Sequence, residues 1–294
     1  MLNLTNAARR LTSVIIILTS SAYSQNIANR QNTQIHNSAI NIDKVNKRPL
    51  TSIEGSTKEY ERLVAASPSD AIALNNLGVM YFLGGRNYEA QSVLRRAVLL
   101  APKTSQIRVN LAVALNKTYN PGLAIETLEA ILKDDPTYHR ARQVLCEYYA
   151  QQSRIKEAIP CYEFLKANGR LWAVSAANFG AILLESDQVD RALEVLRWAD
   201  MQFPDDAGIK NGLGVALFRK NRFSLAEMSL QRAVELAPAA PQVRYNLAIT
   251  QIAANKRGAV LEQYKYLKVS DPELAGKLYK LLYRDKIISI GPNQ

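Results

Sequence analysis

Large apolar side chains recur three and four positions apart along the middle of this chain, as at Leu74, Leu77 and Tyr81, with polar residues between them. That spacing puts one greasy stripe on a helix, so the pattern predicts a series of amphipathic helices. Gly78 breaks the propensity rule: it lies inside the apolar run NNLGVMYFLGG, where glycine costs about 1 kcal/mol relative to alanine. The same run returns at a fixed period of 34, as RVNLAVALNKTY, RQVLCEYYAQQS, AANFGAILLESD, KNGLGVALFRKN and RYNLAITQIAAN. Six units follow without insertion, at 71–104, 105–138, 139–172, 173–206, 207–240 and 241–274.

Aligned, the units show columns of one size class. Leu77, Leu111, Leu145, Phe179, Leu213 and Leu247 are all large, and the next column, Gly78, Ala112, Cys146, Gly180, Gly214 and Ala248, is all small. Ala90, Ala124, Ala158, Ala192, Ala226 and Val260 form a second small column, and Leu94, Leu128, Tyr162, Leu196, Leu230 and Tyr264 a further large one. Each unit therefore reads as two helices and a turn, with Gly85, Ser153, Asp187, Asn221 and Asn255 at the turn, mostly types that tolerate a left-handed backbone. Small residues in both helices mark the closest backbone approach, and Gly78 against Ala90 is the expected contact. Packing then offsets the glycine's propensity penalty.

These columns, with prolines closing units at Pro102, Pro136, Pro204, Pro238 and Pro272, resemble the tetratricopeptide repeat. The resemblance implies an all-α, right-handed α-solenoid of six helix–turn–helix units. Tyr60 and Pro68 stand one period before Leu94 and Pro102, so 51–70 is expected to be an amino-terminal capping half-repeat. At the other end a capping helix is expected over 272–286, started by Asp271 and Pro272, with 287–294 as a tail. A stack of repeats needs such half-polar lids at its ends.

The third unit departs from the pattern. Pro160 falls inside its second helix, where a missing N–H predicts a kink, and Asn168-Gly169 ends the helix where the closing proline is replaced by Arg170. Both cysteines, Cys146 and Cys161, belong to this unit. Two readings stand side by side, a disulfide between paired helices or two buried small hydrophobes.

The amino terminus, MLNLTNAARRLTSVIIILTSSAYSQ, has Arg9 and Arg10 before an apolar stretch from Leu11 to Leu18, then Ala22-Tyr23-Ser24. This is the layout of a signal peptide over 1–24, cleaved ahead of Gln25, with an uncleaved anchor as the alternative. The stretch is far shorter than the roughly 20 apolar residues of a stable span, so no membrane span is expected after cleavage. Residues 25–50, rich in Asn and Gln, read as a disordered linker. The mature chain is thus expected in the periplasm or secreted. The formal charge is +11, but only +6 remains after residue 50, a mild surplus that does not call for nucleic acid.

Catalytic signatures are lacking: there is no HExxH, CxxC, P-loop or GxSxG, and the two histidines, His36 and His139, lie far apart. No enzyme activity, cofactor or metal is expected. Binding is better supported. The resemblance implies a concave groove lined by first helices that holds a peptide or protein segment. Asn76, Asn110, Asn178 and Asn246 share one column, interrupted by Val144 and Gly212, and an amide can both donate to and accept from a peptide backbone. The column is similar to the asparagine ladder of O-linked N-acetylglucosamine transferases and to the asparagines of carboxylate clamps. Of the clamp's cations only Arg140 has a counterpart, with Ile72 and Gln106 at the other places. Bonding within the repeats is the competing role for the amides. Phe82, Gln143, Phe218 and Tyr245 join the candidate peptide-binding set, alongside Val79, Glu147, Ala181, Leu184, Val215 and Ile249.

Arg108, Arg142, Lys210 and Arg244 form a basic column. It either faces an anionic envelope polymer, polysaccharide or peptidoglycan, or packs its stems and pairs its charges locally. The leading expectation is a non-catalytic interaction scaffold, in an envelope assembly or secretion system. An envelope-structural protein that binds such a polymer is the alternative, and a regulatory partner of a separate enzyme chain comes third.

Overall fold

The structure, a computed structural model, describes residues 53–288. The leader expected at 1–24, the linker at 25–50, the first two positions of the half-repeat and residues 289–294 of the tail lie outside the described residues. Among the described residues the regular structure is fourteen α-helices: α1 (Ile53–Ala66), α2 (Ala71–Leu83), α3 (Asn87–Leu100), α4 (Ser105–Lys117), α5 (Pro121–Asp134), α6 (His139–Gln151), α7 (Ile155–Ala167), α8 (Ala173–Glu185), α9 (Val189–Gln202), α10 (Ala207–Arg219), α11 (Phe223–Leu236), α12 (Pro241–Ala253), α13 (Arg257–Ser270) and α14 (Pro272–Ile288). First helices begin at 71, 105, 139, 173, 207 and 241, and second helices at 87, 121, 155, 189, 223 and 257, so the period of 34 holds to the residue. The fold is an all-α helical repeat.

The helices form two compact units that meet in sequence at Leu171 and Trp172. In the first, α1 to α7, each helix packs on the next, and the first helices α2, α4 and α6 also pack on one another. The same scheme holds in the second, with α8, α10 and α12 as the inner row and α14 against α12 and α13. First helices thus touch neighbours on most sides, and α10 and α12 are buried along nearly their whole length. Second helices keep one face in water, which explains their sharper apolar–polar division.

Among the described residues, one helix precedes the six hairpins in the chain and one follows them. Helix α1 starts one period before α3 and buries Tyr60, which is 5% exposed, in the place of Leu94. Helix α14 is started by Asp271, whose carboxylate accepts from the backbone N–H of Leu274 at 3.0 Å. Asp70 does the same for α2, accepting from Ile72 and Ala73 at 2.8 and 3.1 Å.

The contact that admits Gly78 differs from the expected one. A Cβ added there would lie 2.5 Å from Leu94 Cγ, so the glycine receives a leucine from the second helix rather than the small Ala90. Gly180 meets Leu196 and Gly214 meets Leu230 at the same 2.5 Å.

All six turns place one residue in the left-handed region: Gly85, Tyr119, Ser153, Asp187, Asn221 and Asn255 have φ between 55° and 76°. Residue type alone does not predict Tyr119 there. A tyrosine has no side-chain group that compensates locally, and the left-handed conformation costs an L-residue about 1–2 kcal/mol. Its ring is 88% exposed and brings no packing in return. Tyr119→Asn, the residue used in the fifth and sixth turns, is expected to raise stability by roughly 0.5–1 kcal/mol, read as a higher urea midpoint with an unchanged slope.

In the third unit, helix α7 runs unbroken from Ile155 to Ala167 through Pro160. The proline is exposed, so the Lys156 carbonyl that loses its helical partner can turn to water. Gly169, at φ 62°, closes the helix as expected, and the Arg170 N–H returns to Leu165 O at 2.9 Å. Cys146 and Cys161 form a disulfide between α6 and α7, with Cα atoms 5.5 Å apart, which decides between the two readings of the cysteines.

Candidate functional site

The first unit carries a continuous row of polar side chains across its inner helices. Arg140 on α6 donates through Nη1 to Gln106 Oε1 on α4 at 3.0 Å. Gln106 Nε2 donates to Asn110 Oδ1 at 3.0 Å, and Asn110 Nδ2 donates across to Asn75 Oδ1 on α2 at 2.8 Å. Asn75 Nδ2 in turn donates to Asn76 Oδ1 at 3.2 Å. The row ends on Tyr60 of the capping helix: burial pushes its phenol pKa up, while a hydrogen bond from Asn76 works in the opposite direction. Every donor points the same way, from the guanidinium toward the cap, so each bond polarises the next.

The arrangement follows from a helical register. Neighbouring first helices meet at an offset of 35: Asn110 on Asn75, Asn116 on Gln151, Arg219 on the Leu184 carbonyl, and Asn246 on Asn211. One position past the repeat period, a side chain faces the residue before its own column in the adjacent unit. Hence the partners Asn75 and Asn211, absent from the expected set, were findable by shifting the sequence by 35 instead of 34.

The candidates fare differently. Asn76, Asn110 and Arg140 come together in the row, and Asn246 makes the corresponding pair with Asn211 at 3.0 Å in the second unit. Asn178 and Phe82 are half-buried on their first helices. Gln143 is 1% exposed and donates to the Arg170 carbonyl, away from the other amides. Phe218 is buried edge-to-face on Phe223, centroids 5.3 Å apart, as part of the α10–α11 hairpin core. Tyr245 is also buried, and burial pushes its phenol up to about 12. Val79, Glu147, Leu184, Val215 and Ile249 are buried as well, and Ala181 is half-buried.

The basic column is engaged at each position. Arg108 pairs with Asp134 at 2.7 Å and Lys210 with Asp200 at 2.7 Å. The Arg142 guanidinium lies 4.1 Å over the Phe164 ring, and that of Arg244 lies 3.9 Å over Tyr266. Stems pack and charges pair, as in the local reading of this column. At the ends of two first helices the packed neighbours partly desolvate two exposed charges, lowering the Lys117 pKa on α4 and raising the Glu185 pKa on α8. Among the described residues no helix is long and apolar enough to cross a membrane.

A tetratricopeptide repeat family model matches residues 54–102 and 178–241. The peroxisomal targeting signal receptor of Eremothecium gossypii is 22% identical over 211 residues, which is 72% of this chain and 30% of that protein. The chain spans between 22% and 35% of the length of these curated relatives. Among solved structures, Pseudomonas aeruginosa pilF superimposes with a TM-score of 0.64 at 17% identity, over 71% of this chain and 96% of that one. A tetratricopeptide repeat protein from Parabacteroides merdae gives 0.60 at 15% identity, over 84% and 98%. Two-helix units at an unbroken period of 34, glycines receiving leucines across each hairpin that has one, and the family match in both halves of the repeat array agree: the repeats of this chain are of the tetratricopeptide type.

Proposed function

We propose that the chain is a non-catalytic scaffold that holds an extended peptide or protein segment along its first helices. Repeats of this family are generally protein-interaction scaffolds, and the amide row is the observation that carries the reading. Each amide nitrogen has two hydrogens, and the row uses one from each of Asn75, Asn76 and Asn110. On the half-buried Asn75 and Asn76 the second hydrogen is the kind of donor a ligand carbonyl needs, while Asn110, 2% exposed, holds the row in place behind them. The donor's strength is raised by the polarised chain behind it.

Export to the periplasm or beyond belongs to the same proposal. It is supported by the leader-like amino terminus and by a disulfide, a bond that persists mainly in oxidising compartments. An envelope assembly or secretion role is the setting that suits such a scaffold. The anionic-polymer reading is weaker, because its four cations already have acids or aromatic rings as partners.

The test is a screen of arrayed 15-residue peptides, followed by titration calorimetry of the hits. Asn76→Ala and Asn110→Ala are each expected to weaken binding about tenfold, the worth of one net hydrogen bond. Thermal melts of both variants separate this from a folding defect. Hits whose affinity ignores both substitutions would reject the row, and an array with no hits would reject the groove.

A further inference from the structure

The third hairpin is packed differently from its neighbours. In the first, fourth and fifth, the small position on the first helix is a glycine that receives a leucine. Here that position is Cys146, and the leucine column holds Tyr162, both fully buried. Around them α6 also buries Gln143, Glu147 and Tyr148. The hairpin interior therefore contains a carboxamide, a carboxylate and two phenols, and it lacks the leucine-in-glycine seat of the first, fourth and fifth hairpins. Tyr162 and Glu147 do hydrogen-bond to each other, yet sealing such groups from water gains far less than sealing leucine. Helix α7 also lacks the backbone bond that Pro160 cannot make, and the unit ends in Arg170 rather than proline.

Against these deficits stands a covalent tie. The Cys146–Cys161 bond joins the middle of α6 to the middle of α7, one residue past Pro160. In a repeat protein each hairpin draws stability from its own packing and its two interfaces, so a local clip acts locally. We propose that this disulfide makes the third hairpin conditional on oxidising surroundings, and that it thereby gates the amide row, whose guanidinium, Arg140, stands on the clipped helix α6. The gating half rests on the groove reading above; the conditional half does not.

The chemistry is a two-electron exchange. A dithiol reductant attacks one sulfur, the S–S bond breaks, two protons are taken up to leave two cysteine thiols, and the reductant leaves as its own disulfide. Cys146 is 0% and Cys161 8% exposed, so attack waits on opening of the hairpin. Reduction then removes the tie, α6 and α7 lose their fixed spacing, and the Arg140–Gln106 bond at the head of the row loses its anchored donor.

Hydrogen exchange read by mass spectrometry on the full chain, before and after dithiothreitol and thiol capping, tests the conditional half. Protection over 139–170 is expected to fall at least tenfold on reduction, while 71–100 and 207–236 change less than twofold. The double variant C146A/C161A should show the loosened pattern with or without reductant. Because the oxidised wild type is the reference, the test does not depend on the variant folding well. Unchanged protection over 139–170, or an equal loss in all hairpins, would overturn the proposal. For the gating half, a peptide selected on the oxidised chain should bind at least tenfold more weakly after reduction. Lost protection with unaltered affinity overturns the gating alone. If the oxidised chain binds no peptide, the groove reading falls, and exchange alone decides the staple.

Discussion

Leu196→Ala is expected to lower the unfolding free energy by about 3–4 kcal/mol, well above the floor of the range for a buried leucine. The residue is 0% exposed, but the expectation rests on what it separates. A Cβ placed on Gly180 would lie 2.5 Å from Leu196 Cδ2, and one placed on Gly212 would lie 3.0 Å from the same atom. The leucine therefore fills the space between its own first helix, α8, and the next one, α10. Neither wall can collapse into the void without shifting a helix that other contacts hold, so the cavity term stays large. Met201→Ala, on the same helix at 73% exposure, is the matched control and should change stability by less than about 0.5 kcal/mol. Urea denaturation of both variants checks the pair. A Leu196→Ala cost well under about 2 kcal/mol, the floor for emptying a buried leucine site, would mean that the two hairpins are not wedged by this side chain.

The repeat register was fully legible because it depends on side-chain size, and size is written in the sequence. Six helix starts at a spacing of 34 and a half-repeat one period ahead needed only columns of large and small residues. Partners were less legible. Size alone matches Gly78 with Ala90, whereas the structure seats Leu94 in the glycine's gap: close approach needs one small residue opposite one large residue, not two small ones. Tyr119 escapes because its type argues against a left-handed turn; the repeat imposes that backbone on whatever residue stands there. The amide column was visible, but its bonding was not. Helices in a stack meet at an offset of 35, a property of how cylinders nest and not of any single helix. Burial of Phe218 and Tyr245 was hidden for a related reason, since a position on an inner helix faces water, ligand or neighbour depending on the next hairpin's tilt.

The same seat-and-knob geometry makes a second large prediction. Gly214→Leu should cost at least about 3 kcal/mol, at or beyond the usual limit for overpacking. An added Cβ alone would sit 2.5 Å from Leu230 Cγ and 3.2 Å from the Ala226 carbonyl oxygen. The leucine could in principle rotate away, but the carbonyl belongs to the backbone of α11, so three further carbons can be accommodated only by moving the helix. Gly258→Leu provides the contrast. That glycine lies on α13 with nothing within 4 Å of an added Cβ, and substitution there should be neutral or stabilising by up to about 1 kcal/mol through helix propensity. Leu230→Ala in the Gly214→Leu background separates the two sources of strain. It removes the knob but not the carbonyl, so it should recover about half of the lost stability. The coupling energy between the two sites then measures the knob's share. Full recovery would show that the backbone contact is slack. No recovery would show that the hairpin spacing is set by Ala226 and its carbonyl, and that the leucine column merely fills what the backbones leave.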